Sequence, residues 1–397
     1  MEYSTSKGKR GMSYGGVDYD LESIYARLGE LTDTRKARGK RYSLRTMMVL
    51  TILAKICGAN GIVEIADWAE NNREELIELM GLQRPTMPHH NTYRRVLANT
   101  VNLAEIERVV GEYNQTGENG CVYAMDGKAV RGMKEKGESN HEYLLSIYDV
   151  EKGKTLAQET VGRKENEITR GKPTLNKVKI AQKVVTADAL HTHRGLSSYI
   201  LEQNADYIFP VKENQPKLHQ DIQFLFASDE PSPGFGKAAT DFISTKKVNK
   251  GHGRIEIRTI TTSEMLNAYS SWPGLAQVYR LEREFRWLRK GKVIRTSNQV
   301  EYGITSLTRK QASAKQLLSF RRMHWGIETG SHYRRDVTFK EDSLRMTVGN
   351  TGKVAACIHN LVISLIKQAG HQNVAKARRY YAGHLSEAFQ LLLTAPS

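Results

Sequence analysis

The sequence of 397 residues has only three cysteines, Cys57, Cys121 and Cys357, and no two lie close enough for a zinc-type CxxC pair. Reduced thiols in a cytoplasmic protein are the simplest account. Long apolar runs are also missing. The longest, Met47 to Cys57, is broken by Lys55 and is too short to span a bilayer. Met1 to Ser13 is rich in Lys, Ser and Gly and lacks the apolar stretch of a signal peptide. No GxxxxGK[ST] loop occurs, which argues against a nucleotide-driven motor, and no HExxH or paired Cys/His spacing supports zinc. No pattern for nucleophilic Ser or Cys catalysis is present. Acidic residues are few for the size of the chain: 43 Asp and Glu against 59 Lys and Arg leave a charge of +16. That balance points to a polyanionic partner, with solvated basic faces as the plain alternative.

What is present is enough for a core, since 39% of the residues are hydrophobic. From about Leu21 to Gly117 the pattern is helical. Ser43 is placed to cap a helix carrying Met47, Leu50, Ile52 and Leu53 that stops at Gly58, and Asn102 with Glu105 predicts a capping box before Ile106, Val109 and Val110. Four or five short helices are expected here. After Gly120 the texture changes. Cys121 to Met125 reads as a buried strand that delivers Asp126 into a turn, and Tyr143 to Val150 and Thr155 to Thr160 read as a hairpin turning at Gly153. Ile168 to Lys179 reads as a helix with Pro173 near its start. Val184 to Ala187 is a second apolar run ending in an acid, Asp188, ahead of a helix over Gly195 to Glu202. Strand signals return at Tyr207 to Val211, Arg254 to Ile260, Gln277 to Leu281 and Tyr302 to Leu307. Helical periodicity resumes at Ala314, and Val354 to Ile366 traces one apolar stripe.

A strand, a hairpin, a second acid-bearing strand and a helix with a third acid is the layout of a ribonuclease-H-like domain. Three convergent carboxylates suit Mg2+, a hard cation that prefers oxygen ligands, and two such ions can flank a scissile phosphate. Each acid also has a plain reading. Asp126-Gly127 is a common turn pair, and Asp336, Glu341 and Asp342 compete with Glu328 as the third carboxylate.

The words around the acids narrow the choice. Ala124-Met125-Asp126-Gly127-Lys128, Thr186-Ala187-Asp188-Ala189-Leu190-His191, Tyr207 through Val211-Lys212-Glu213-Asn214-Gln215 and His324-Trp325-Gly326-Ile327-Glu328 occur in this order. His252-Gly253-Arg254-Ile255-Glu256, Trp272-Pro273-Gly274-Leu275 and Asp336 through Asp342 add to them. Over roughly Leu21 to Gln368 the chain resembles the H-repeat-associated family of bacterial insertion-sequence DDE transposases. The resemblance implies an α/β fold: a ribonuclease-H-like catalytic core with a strand-rich insertion, preceded by a helical N-terminal domain. The expected boundaries are a flexible basic leader over 1–20, a DNA-binding domain over 21–117, a catalytic domain over 118–369 with its insertion at about 206–307, and a helical tail over 370–397. The gap between Asp188 and Glu328 is more than twice that between the aspartates, which leaves room for the insertion.

The same resemblance implies that Asp126, Asp188 and Glu328 are the catalytic and metal-binding residues, with two Mg2+ ions per site and Mn2+ as substitute. The implied reaction is cleavage at element ends and joining of the 3′-hydroxyl to target DNA. Partners would be double-stranded DNA, as terminal repeats and target, and a second copy of the chain when DNA is bound; no membrane is involved. A bacterial cytoplasm with its nucleoid is the expected location. A nuclease without strand joining and a transposase-derived DNA-binding regulator are the alternatives. The helix around Glu328 departs from better-known relatives, placing Arg321, His324 and Arg335 where a Tyr, an Arg and a Lys recur. Helical spacing puts His324, Glu328, His332 and Arg335 near one face, which suits phosphate contact. Lys128, His191, His324 and Arg335 are expected at DNA, and Lys212, Asn214 and Gln215 either reach substrate or simply form a strand exit. In the helix expected within Pro88 to Leu97, Tyr93, Arg94 and Arg95 are the candidate DNA contacts. Trp325 is expected to pack against the core.

Overall fold

The computed structural model describes residues 11–14, 16–133, 142–162, 167–227, 241–251, 253–290 and 292–396. His252 and the first ten residues of the expected leader lie outside the described residues. In chain order, a hairpin of β1 (Gly11–Tyr14) and β2 (Val17–Asp20) leads into six helices: α1 (Ile24–Arg27), α2 (Leu44–Ile56), α3 (Ile62–Asn71), α4 (Arg73–Met80), α5 (His90–Arg95) and α6 (Leu103–Gln115). Then come β3 (Val122–Ala129), β4 (Tyr143–Asp149), β5 (Lys154–Val161), α7 (Glu167–Leu175), β6 (Val184–Ala187), α8 (Arg194–Glu202), β7 (Asp206–Val211) and α9 (Pro216–Ala227). Four long strands follow: β8 (Ile243–Gly251), β9 (Arg254–Ser263), β10 (Gln277–Arg289) and β11 (Lys292–Thr305). The chain finishes with α10 (Ala314–His324), two π-helical turns at Glu328–His332 and Arg334–Thr338, and α11 (Thr351–Gln368), α12 (Val374–Tyr381) and α13 (Leu385–Leu393). It divides into two compact units, the first made of 1–120, 127–178 and 327–397 and the second of 121–126 and 179–326.

In the first unit, local chemistry fixes the helix ends. The Ser43 hydroxyl accepts from the Thr46 amide at 3.0 Å, and α2 gives way to Gly58, whose φ of +115° suits a residue without a Cβ. Asn102 caps α6 by accepting from the amides of Ala104 and Glu105, but the expected capping box is only half formed. The Glu105 carboxylate instead accepts from the Thr32 amide at 2.8 Å, tying an upstream loop to the helix. Helix α2 is buried almost all round, and its Met48, Leu50 and Leu53 share one core with Ile106 and Val109 of α6, Phe339, and Ile358, Leu361 and Leu392 of the C-terminal helices. The N-terminal helices therefore share their core with the C-terminal segment, which contributes Val374, Tyr381, Phe389 and Leu392 to it. Residues 11–20 also differ from a flexible leader, because β1 and β2 pair in register and Val17 and Tyr19 enter that core. The β4–β5 hairpin turns at Gly153 with φ +75° and packs beneath α6, where Asn114 Nδ2 donates to the Thr155 carbonyl at 2.7 Å. Pro173 sits near the end of α7 and not at its start, so the helix forgoes there the amide hydrogen bond to the preceding turn.

In the second unit the strand order is β3-β6-β7-β11-β10-β9-β8. β3, β6 and β7 run parallel, and the remaining pairs are antiparallel. The parallel strands are buried on both faces, which is why Val122 to Met125 and Val184 to Ala187 appear as unbroken apolar runs and not as alternating ones. Helices α8 and α10 pack against this part of the sheet. β10 and β11 extend well beyond the stretches legible as strands, because Glu282 to Arg289 and Lys292 to Glu301 are largely polar and only partly covered. The result is a mixed α/β fold with a large mixed sheet. Among the described residues no helix is long and apolar enough to cross a membrane.

Candidate active site

The second unit brings two of the three expected acids side by side. β3 and β6 are adjacent and parallel, and their last in-register pair is Met125 with Ala187. Asp126 is the next residue of β3, and Asp188 is the first residue after β6 with its backbone still extended (φ −73°, ψ 164°), so the register carries both acids to the same face at neighbouring positions. Asp126 does not enter a turn. β3 runs on through Ala129, and the Glu167 carboxylate lies against Gly127 in the space a Cβ would take. Asp126 is half-buried and Asp188 is exposed.

Asp188 is held by its surroundings. His324, the last residue of α10, is only 2% exposed; its Nδ1 lies 2.9 Å from the Thr186 hydroxyl and its Nε2 3.2 Å from Asp188 Oδ1. The hydrogen bond from His324 lowers the Asp188 pKa against the opposing effect of burial, and the cations of Arg321 and Lys212 act in the same direction. After Asp188 the chain makes a tight turn, Ala189–His191. Asn214 Nδ2 donates to the carbonyls of Ala189 at 2.7 Å and Thr192 at 3.3 Å, and Gln215 Nε2 donates to that of Thr192 at 3.1 Å. Of the two readings open for Asn214 and Gln215, the structure shows a third: they brace the loop that follows the aspartate. Lys212 is exposed beside them.

Glu328 belongs to the first unit. It lies four residues after His324 in sequence, is exposed, and opens the π-helical turn Glu328–His332. Its three competitors are each engaged elsewhere. Asp336 pairs with Lys128 Nζ at 2.5 Å, and Asp342 accepts from the Arg131 amide at 3.3 Å. Glu341 is buried and receives Arg335 Nη2 at 2.6 Å and Arg335 Nε at 2.9 Å.

Several expected DNA contacts are internal. Arg335 is fully buried against Glu341, Lys128 is nearly covered in its pair with Asp336, and His191 and His324 are buried, so none of the four offers a free surface to phosphate in this arrangement. For Lys128, Arg335 and His324 the reason is the same: a long cation or imidazole buries well when a carboxylate or hydroxyl meets it. Tyr93 is likewise in the core, whereas Arg94 and Arg95 on the same short helix are exposed. Trp325 reverses its expectation, standing 47% exposed with the Arg283 guanidinium 5.4 Å from its ring. Sequence reasoning missed Thr186 and the Glu301 carboxylate, which takes Arg321 at 2.9 Å and Arg283 at 3.0 Å. Burial of Glu301 works against its ionisation, but those two arginines outweigh it and hold its pKa down.

The donor chemistry of Asp126 and Asp188 fits a hard divalent cation, because both are carboxylates, they are neighbours, and the cations around Asp188 favour its anionic form. Among the described residues no three His, Cys, Asp or Glu side chains gather to hold a metal by themselves.

Comparison with known proteins adds a family relationship. The profile described as "Transposase DDE domain" matches residues 117–365, and one described as "DDE_Tnp_1-associated" matches residues 25–113. The chain is 28% identical over 353 residues to "Putative transposase YncI" of Escherichia coli O157:H7, covering 87% of this chain and 88% of that protein. It is 24% identical over 355 residues to "H repeat-associated putative transposase YhhI" of Escherichia coli strain K12, covering 87% and 91%. A solved structure of piggyBac transposase, a synaptic complex with hairpin DNA, aligns over 93% of this chain and 77% of that one at a TM-score of 0.42 and 10% identity, too distant to define the fold.

Proposed function

This chain belongs to the Transposase DDE domain family, and from that premise we propose that it is a DNA transposase with a ribonuclease-H-like core in which Asp126, Asp188 and Glu328 form the active site. The observation that carries the proposal is the register of β3 and β6, which sets Asp126 and Asp188 next to each other on one face of the sheet. Glu328 is the third donor of choice because Asp336, Glu341 and Asp342 are each held by a basic side chain or a backbone amide, whereas it is exposed.

The three carboxylates would hold two Mg2+ ions, which when bound supply charge neutralisation at a scissile phosphate. His324 fixes the rotamer of Asp188 and leaves it anionic, and Asn214 and Gln215 hold the turn behind it, so that the donor is in place before substrate arrives. In the reaction proposed, water displaces a 3′-hydroxyl at the element end, and that hydroxyl then displaces another in target DNA. Each step forms one P–O bond and breaks one. Double-stranded DNA is the partner that the surplus of sixteen positive charges suits.

The test is cleavage of the DNA flanking the gene by the full chain. Activity should disappear with EDTA and return with Mg2+ or Mn2+, and Asp126→Asn and Asp188→Asn should each lower the rate about a thousandfold while binding of DNA persists. Cleavage that survives exhaustive chelation, or an active Asp188→Asn protein, would remove the proposed site.

A further inference from the structure

We propose that the cleft at the start of α2, lined by Arg41, Arg45 and Arg84, grips a backbone phosphate of the DNA duplex; this rests on the reading of the chain as a DNA-binding transposase. The cleft lies within the first unit, between the loop that enters α2 and the turn that follows α4, and encloses about 250 Å³. Arg41, Arg45 and Arg84 line it together with Ser43 and Thr46, and its lining contains no acidic residue.

The walls are built and not accidental. Tyr42 Oη donates to the Thr86 carbonyl at 2.8 Å, which fixes the turn after α4 against the start of α2. Gly81, left-handed at φ +59°, ends α4 and turns the chain toward Arg84. Arg45 is held with its guanidinium 5.2 Å from the centre of the Tyr25 ring, a cation–π contact that fixes the floor of the cleft. Arg41 and Arg84 stand exposed at the rim, and neither enters an ion pair among the described residues. The approach is basic as well: Lys36, Arg38 and Lys40 are exposed on the loop leading in, while the nearby Asp33 is occupied by Arg35 at 2.8 Å.

Planar guanidinium groups match phosphate oxygens in paired hydrogen bonds, and a concave site with two of them exposed at its rim, a third cation packed beneath and no carboxylate fits an anion. A duplex backbone offers a row of such anions, and the run of cations outside the cleft would follow it. Such contacts position the protein without reading sequence.

The experiment is fluorescence anisotropy of the full chain with a labelled duplex of the DNA flanking its gene, taken over a salt series. Arg41→Gln and Arg84→Gln should each weaken binding about tenfold at fixed salt and flatten the slope of log K against log salt by about one. Arg379→Gln, which removes an equal exposed charge outside the cleft, should leave the slope unchanged. Melting temperatures should match that of the parent, since the side chains replaced carry no ion pair. A parent protein that binds with variants indistinguishable from Arg379→Gln would overturn the cleft and leave the transposase reading intact. A parent that fails to bind duplex even at low salt would overturn both.

Discussion

Glu341, His359 and Lys55 form a line of buried charge that sequence inspection does not reveal, because its members are 304 residues apart in the extreme. Lys55 Nζ donates to His359 Nε2 at 2.8 Å, and the neutral ring, protonated on Nδ1, donates to Glu341 at 2.7 Å. Burial pushes His359 down to about 3 and Lys55 down to about 7. Burial alone would raise Glu341, but Arg335 and His359 outweigh it and hold the carboxyl well below its usual range. Between about 3 and the ordinary 6.5 the unfolded chain binds a proton at His359 that the folded chain refuses. Stability therefore rises with pH across that window and is lost as pH falls through it, and Glu341 adds to the loss lower down. Glu107, which burial raises to about 7, acts oppositely in this window, so the check is a difference between proteins: on going from pH 5 to pH 7 the urea midpoint of the parent should gain relative to that of His359→Gln. An equal slope in parent and variant would contradict this account. The same arrangement explains why Arg335, legible in sequence only as a cation near Glu328, could not be assigned to an internal partner: pairing depends on which loop folds back, and spacing alone does not give it.

At the scale of elements, the strands that deliver the aspartates were legible because parallel strands covered on both faces leave continuous apolar runs. Helix α2 was legible for a related reason, with Ser43 marking its start and Gly58 its end. The outer parts of β10 and β11 were not, since their residues are half-covered or exposed and carry charge on both faces. β8 was not legible because it is largely polar and exposed, whereas α9 carries Leu218, Ile222 and Phe226 at helical spacing behind Pro216, a signal the sequence reading passed over. The segment after β7 was ambiguous between contact and exit, and its amide side chains turn inward to brace the turn after Asp188. Asn214→Ala should therefore slow cleavage about tenfold, roughly the effect of one lost positioning bond, with DNA affinity unchanged. Lys212→Ala, beside it but without those bonds, should weaken DNA binding instead. Cleavage kinetics and anisotropy on the two proteins check the contrast, and an Asn214→Ala rate equal to the parent's would show that the turn needs no brace.

For the whole molecule, division into an N-terminal DNA-binding part and a catalytic part is simpler than what the chain does. Met48 and Leu53 of α2 pack in one core with Leu361 of α11 and Leu392 of α13, so the N-terminal helices share their core with the C-terminal ones. A helical periodicity shows that a face is buried but not against which partner, and this is why the shared core was not legible. Asp126 and Asp188 emerge from the second unit, and Glu328 belongs to the first. The central claim is that these three carboxylates carry strand transfer. Its most direct measurement is the yield of joined product when the full chain is incubated with the DNA flanking its gene, a target plasmid and Mg2+, for the parent and for Glu328→Gln. The account predicts covalent joining by the parent and a loss of about a thousandfold in Glu328→Gln, with DNA binding and thermal stability retained because Glu328 is exposed. Near-parental joining by Glu328→Gln would contradict it.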